Sequence, residues 1–193
     1  EMEFPYPGSP DGKIPVPEGG GLLETVATFG VLAAATTKLR LGTGIALVPQ
    51  RNPIYTAKEF ATLDYLTNGR MDLGVGVGWC KEEVIACGYD WSTRGRRCDE
   101  FLELFQKLWT EDEVSYEGDF LSVEKVRLDP KPVQKPHLPI IVGGYADAAY
   151  RRAARFGAGW YGFNTDPEAS LKAMNRLDGF LAEAGRERGD DFE

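Results

Sequence analysis

Apolar and polar positions along this chain alternate between two periods. Four short apolar runs broken by glycine have strand length and composition: Leu39 to Leu47, Arg70 to Trp79, Leu138 to Gly144, and Gly157 to Phe163. Between them lie stripes of helical spacing. Ala57, Phe60, Ala61 and Leu63 share one face of Tyr55 to Leu66, which Asn68-Gly69 closes. Phe101, Leu102, Phe105 and Leu108 form a second stripe behind polar Ser92 and Thr93. Ala146, Ala149, Tyr150, Ala153 and Ala154 form a third, ending at Gly157. Leu171, Met174, Leu177 and Leu181 form a fourth, stopping at Gly185. One more helix is expected around Leu22 to Ala35, with no strand ahead of it. Strands apolar on both faces and separated by amphipathic helices need crossover connections, hence parallel pairing, so the class is α/β.

Two segments leave this rhythm. Residues 1–21 carry Pro5, Pro7, Pro10, Pro15, Pro17 and Gly19-Gly20-Gly21, too broken for regular structure, and predict a long loop. Residues 111–137 hold two β-like runs, Val114-Ser115-Tyr116 and Phe120 to Val123, around Glu117-Gly118-Asp119, and predict an inserted hairpin excursion. A closed eight-stranded barrel takes ~250 residues. Four strand–helix units in 193 residues therefore predict a single incomplete barrel domain over 1–193, an internal fragment that ends just before a further strand and is inactive on its own. A flavodoxin-like open sheet, able to bind a cofactor with or without turnover, also fits this length, and the pattern alone leaves it standing.

The run Arg70-Met71-Asp72-Leu73-Gly74-Val75-Gly76-Val77-Gly78-Trp79 carries the most chemistry. Glycines alternate with Leu73, Val75 and Val77, so one strand face is bare. A flat ring or a phosphate can approach such a face, and so can a neighbouring element of the chain itself. Glycine recurs at Gly42, Gly44, Gly143 and Gly144, near the ends of two other strands.

Charge and cysteine narrow the partners. A formal charge of -8, from 30 acidic and 22 basic side chains, excludes attraction to nucleic acid or an anionic membrane as the main business of the chain. No run approaches the ~20 apolar residues of a membrane span. Cys80, Cys87 and Cys98 lack metal-ligand spacing and predict small core or surface thiols in a reducing, cytoplasmic setting. Arg94, Arg96 and Arg97 predict a solvated face paired with Asp99 and Glu100. His137, the sole histidine, lies ahead of the third strand run and predicts a surface residue away from any barrel mouth.

Taken together, Leu39 to Gly44, the Pro49 to Pro53 loop, Ala61-Thr62-Leu63-Asp64, Gly69-Arg70, Leu73 to Trp79, Pro132-Val133-Gln134-Lys135-Pro136 and Ile140 to Gly144 resemble the bacterial luciferase-like oxidoreductases. Within them the chain is most similar to the branch using coenzyme F420, a deazaflavin. The likeness covers nearly the whole chain. It implies a TIM (β/α)8 barrel of which these strands are the third to sixth, and a redox ring lying across the C-terminal mouth. It also implies a small-molecule substrate and a homodimeric assembly. By the same resemblance Gly44-Ile45 is a non-proline cis peptide under one ring face, and Val77, Gly78, Trp79 and Glu82 line the ring edge and cofactor side chain. Gly143, Gly144, Tyr145 and Ala146 open a helix that takes the phosphate, with Asp147 turned to solvent. FMN-using relatives carry Arg where Val77 stands, and residues 74–80 hold no basic side chain, which favours F420 over the alternative, FMN. The family's ring-facing acid or base belongs to the second barrel strand, so no catalytic residue is assigned here, and no metal is expected.

Overall fold

A computed structural model describes residues 3–6, 9–14, 16, 20–189 and 192. Six α-helices accompany seven strands among these residues: α1 (Thr25–Ala35), β1 (Leu41–Gly42), β2 (Ala46–Leu47), α2 (Pro53–Thr67), β3 (Met71–Gly76), α3 (Lys81–Ala86), α4 (Arg94–Thr110), β4 (Val114–Glu117), β5 (Ser122–Val126), β6 (Ile140–Gly143), α5 (Asp147–Phe156), β7 (Gly159–Tyr161) and α6 (Pro167–Glu183). The described part of 1–21 forms no helix or strand. Its residues 1, 2, 7, 8, 15 and 17–19 lie outside the described residues, as do 190, 191 and 193.

Helix boundaries follow local chemistry. Asn52 accepts from the amides of Ile54 and Tyr55 to start α2 at Pro53, and Asn68 (φ 53°) and Gly69 (φ 81°) end it in the left-handed region. Asp166 caps α6 by accepting from the Ala169 amide. The apolar stripe of α6 differs from the one read in the sequence. Ala173, Leu177 and Leu181 are buried at i, i+4 and i+8, whereas Leu171 stays 57% exposed.

The run 39–47 is split. β1 pairs with β3 through Leu41 opposite Met71 and Gly42 opposite Asp72, and β2 pairs with the same strand through Ala46 opposite Val75 and Leu47 opposite Gly76. Three residues, Thr43, Gly44 and Ile45, thus lie opposite two, Leu73 and Gly74, which makes a bulge at Thr43 to Ile45. The peptide bond Gly44-Ile45 within it is cis.

β3 pairs with β6, and β6 with β7, all in parallel. Strands therefore lie side by side in chain order, and α1, α2, α4, α5 and α6 pack in the same order as a single layer. A doubly wound sheet needs a reversal of strand order and helices on both faces. Neither is present among the described residues, so the sheet is the wall of a partial TIM (β/α)8 barrel. The core lies between sheet and helices: Met71, Leu73, Val75, Ile140 and Val142 meet Phe60, Phe101, Phe105 and Leu108, all nearly or fully buried. Gly42, Asp72, Gly74, Gly76, Ile141 and Gly143 alternate with those core residues and so occupy the inner face.

The excursion at 111–137 contains the hairpin β4–β5. Its turn is held by Glu100 of α4, whose carboxylate accepts from the amides of Asp119, Phe120 and Leu121 at 2.8–3.2 Å. Glu100→Ala is expected to cost about 1–2 kcal/mol, with faster amide hydrogen exchange confined to residues 119–121.

The basic cluster departs from expectation for a related reason. Arg97 is buried, donating to the carbonyls of Pro49 and Asp90 and to Thr93 Oγ1. Arg94 stacks on Trp91 with its guanidinium 3.5 Å from the ring centre. Of the three, Arg96 alone faces solvent, and it pairs with Asp119. Asp99 pairs instead with Arg152. His137 is half-buried, not a free surface residue, its ring 6.2 Å from that of Trp109 and in contact with Gln106.

Candidate functional site

The glycines of β3 are explained first by the chain itself. A Cβ on Gly74 would stand 1.8 Å from the carbonyl oxygen of Thr43, and one on Gly76 would stand 2.0 Å from Ile45 Cδ1. Both residues are buried because the bulge lies over them, and Thr43 Oγ1 donates to the Gly74 carbonyl at 2.6 Å. The bare face is thus filled by the neighbouring strand. What it offers outward is the Ile45 side chain, seated between Gly76 and Gly143, with Ile45 Cγ2 3.2 Å from a Cβ position on Gly143.

Above Ile45 opens a cavity of about 410 Å³ at the C-terminal ends of β2, β3, β6 and β7. Eight of the ten residues read from the sequence line it: Gly44, Ile45, Val77, Gly78, Trp79, Gly143, Gly144 and Tyr145. Glu82 and Ala146 do not. Glu82 is exposed on α3, where its carboxylate accepts from the Glu3 amide at 2.6 Å and from Cys80 Sγ at 3.4 Å. The Glu3 amide holds its pKa below the usual carboxylate range. Ala146 is exposed as the cap of α5, and Asp147 behind it pairs with Arg176 of α6 rather than simply meeting water.

Five lining residues escaped the sequence reading: Tyr6, Leu47, Gly76, Tyr161 and Phe163. Tyr161 and Phe163 were legible as part of a strand but not as pocket walls, since aromatics at strand ends usually pack in cores. Here they are 42% and 51% exposed, and Tyr161 leans over Gly44, its ring 3.5 Å from that residue's Cβ position. Tyr6 reaches the site from the proline-rich loop and meets Trp79 edge to face at 5.3 Å. The segment carrying it is anchored by Glu3 to Lys81 and by Phe4 stacked on Trp91 at 5.8 Å.

The opposite wall is pinned by hydrogen bonds. Trp160 Nε1 donates to the Gly144 carbonyl at 2.7 Å, and the Tyr145 hydroxyl bonds both backbone groups of Phe163. Gly144 sits at φ 121° and Gly78 at φ 81°, conformations that side-chain-bearing residues rarely adopt. Among the described residues no aspartate, glutamate, lysine, arginine or histidine lines the cavity; the polar side-chain groups there are tyrosine hydroxyls and an indole. Burial pushes the Cys80 pKa up, and that of Cys98, within the hydrophobic core, up to about 12. Among the described residues no cluster fit to hold a metal ion is present, and no helix is long and apolar enough to cross a membrane.

A barrel wall with an aromatic-rimmed slot at its C-terminal end defines a class of α/β-barrel proteins that bind ligands at the strand tips. Residues 12–193 match the luciferase-like monooxygenase family, and the chain belongs to it. An uncharacterized protein of Mycobacterium tuberculosis is 36% identical over 186 residues, covering 96% of this chain and 64% of the relative. An FMNH2-dependent dimethylsulfone monooxygenase of Pseudomonas putida is 38% identical over 154 residues, covering 78% of this chain and 42% of that protein. Among solved structures, an F420-dependent secondary alcohol dehydrogenase in complex with an F420-acetone adduct superposes with a TM-score of 0.78, with 25% identity, covering 89% of this chain and 53% of that one. The chain thus spans less than two thirds of the length of these relatives.

Proposed function

We propose that the whole protein is a coenzyme F420-dependent oxidoreductase of the luciferase-like type, acting by hydride transfer or oxygen insertion on a small organic molecule. The observation that carries this reading is the slot itself, a flat apolar floor made by Ile45 across Gly76 and Gly143 and rimmed by Trp79, Tyr145, Tyr161 and Phe163. The bound cofactor supplies the redox chemistry; the protein positions and shields it. In this reading Gly44 and Ile45 support one ring face, and Val77, Gly78 and Trp79 border its edge. Gly143, Gly144 and Tyr145 lead toward the phosphate, which the first amides of α5 receive.

F420 is preferred to FMN because residues 74–80 hold no basic side chain for a terminal phosphate. The FMN reading draws its own support from the 38% identity to the Pseudomonas putida monooxygenase. Titrating each cofactor against the full-length protein separates them. F420 is expected to quench tryptophan fluorescence saturably at micromolar concentration, FMN is not, and Trp79→Phe removes most of the quench. Saturable quenching by FMN alone overturns the F420 assignment, and quenching by neither overturns the cofactor reading.

A further inference from the structure

The turn Val48–Gln50 follows β2 directly and brings Gln50 behind one edge of the cavity. Its Nε2 lies 3.1 Å from the point that a Cβ on Gly78 would occupy. Leu47 Cδ1 and Cδ2 flank the same point at 3.7 and 3.9 Å. Both Gly78 and Leu47 line the cavity. This nitrogen is buried and has no hydrogen-bond partner among the described residues. Among the described residues the protein thus keeps a buried amide donor, beside apolar Leu47, whose hydrogens are unmatched. Such a group is costly, and it calls for an acceptor from outside the chain. Gly78 is where that donor and the cavity meet, and a residue with a side chain at that point would crowd the amide.

We propose that Gln50 orients the bound ring, its Nε2 donating a hydrogen bond to a carbonyl oxygen at the pyrimidinedione end that flavins and deazaflavins share. This rests on the ring-binding reading above. A neutral amide donor beside apolar side chains suits a neutral carbonyl acceptor; a phosphate at the same place would be desolvated with no cationic side chain in the lining to balance it. Gln50 is therefore a polar determinant of orientation in a slot whose other walls select shape.

The test uses FMN and lumiflavin, which has the same ring and carbonyls but a methyl group in place of the ribityl phosphate chain, together with F420, each titrated against the full-length protein and its Gln50→Leu variant. Gln50→Leu is expected to weaken every ring that wild type binds by about ten-fold, the loss of one hydrogen bond to a buried partner. The unliganded variant should melt at the wild-type temperature or above it, because it removes an unmatched donor without taking away a bond. Unchanged ring affinity in the variant overturns the proposal. So does a loss seen with FMN and F420 but not with lumiflavin, since the contact would then be to the chain. A fall of several degrees in the unliganded melting temperature also overturns it, since the amide would then be serving the fold. Wild type binding none of the three rings removes the function reading as well, whereas wild-type binding with an indifferent Gln50→Leu removes this inference alone.

Discussion

Gly74→Ala is expected to destabilise the protein by about 3 kcal/mol or more, at the upper end of overpacking effects, and to abolish ring binding with it. The added methyl group would stand 1.8 Å from the Thr43 carbonyl oxygen, a backbone atom that no rotamer change can remove. Relief requires the bulge at Thr43 to Ile45 to lift off β3. That breaks the Thr43 Oγ1 bond to the Gly74 carbonyl and displaces Ile45 from the cavity floor. Gly42→Ala is the matched control, because its Cβ would meet Asp72 Cβ at 3.6 Å, an ordinary contact, on the same inner face. Urea unfolding of the two variants should differ by more than about 2 kcal/mol on this argument. Equal midpoints would mean that the bulge does not press on Gly74.

This pair also marks where sequence reasoning stops. The alternation of Gly74 and Gly76 with Leu73, Val75 and Val77 announces a bare strand face, but a ring and a neighbouring strand demand the same absence of side chains. Only the register of β1 and β2 against β3 shows that the chain fills the face itself. Nor does periodicity reveal the bulge, since an inserted residue leaves a run of small and apolar side chains looking continuous. The strand–helix rhythm was legible because burial on two faces leaves a long, redundant signal. Arg97 was misread although it precedes Phe101 by four residues on the buried stripe of α4. Its charge argued for solvent, and the acceptors that permit burial, the carbonyls of Pro49 and Asp90, are backbone groups that side-chain pattern does not show. Tyr6, which lines the cavity, and Gln50, which lies behind Gly78 at its edge, were missed because each comes from an irregular segment, where spacing carries no directional information.

Asp64→Ala is the second change of large expected effect, about 3–5 kcal/mol, as when several buried donors lose a charged acceptor together. Asp64 is fully buried on α2. Its Oδ2 accepts from the amides of Val133 and Gln134 at 2.8 and 3.1 Å, and its Oδ1 accepts from Gln134 Nε2 at 2.7 Å. Gln134 passes the connection on, donating to the Met71 carbonyl at 2.7 Å and accepting from Arg40 at 3.2 Å. Two sequence stretches that looked like independent motifs, 61–64 and 132–136, are therefore one latch holding the return of the excursion against α2 and the start of β3. Asp64→Asn tests this more sharply, because it keeps the volume. One amide oxygen can still serve the two backbone donors, but the new amide nitrogen then faces Gln134 Nε2, donor against donor. Turning Gln134 over relieves that clash only by giving up Met71 and offering a donor to Arg40. A loss of about 2–3 kcal/mol follows for Asn. Because the latch lies at the N-terminal end of the strands, a destabilised but folded Asp64→Asn protein should keep its cofactor affinity while its Val133 and Gln134 amides exchange faster. Weakened ring binding at a denaturant-free temperature well below melting would show instead that this end of the wall sets the geometry of the other.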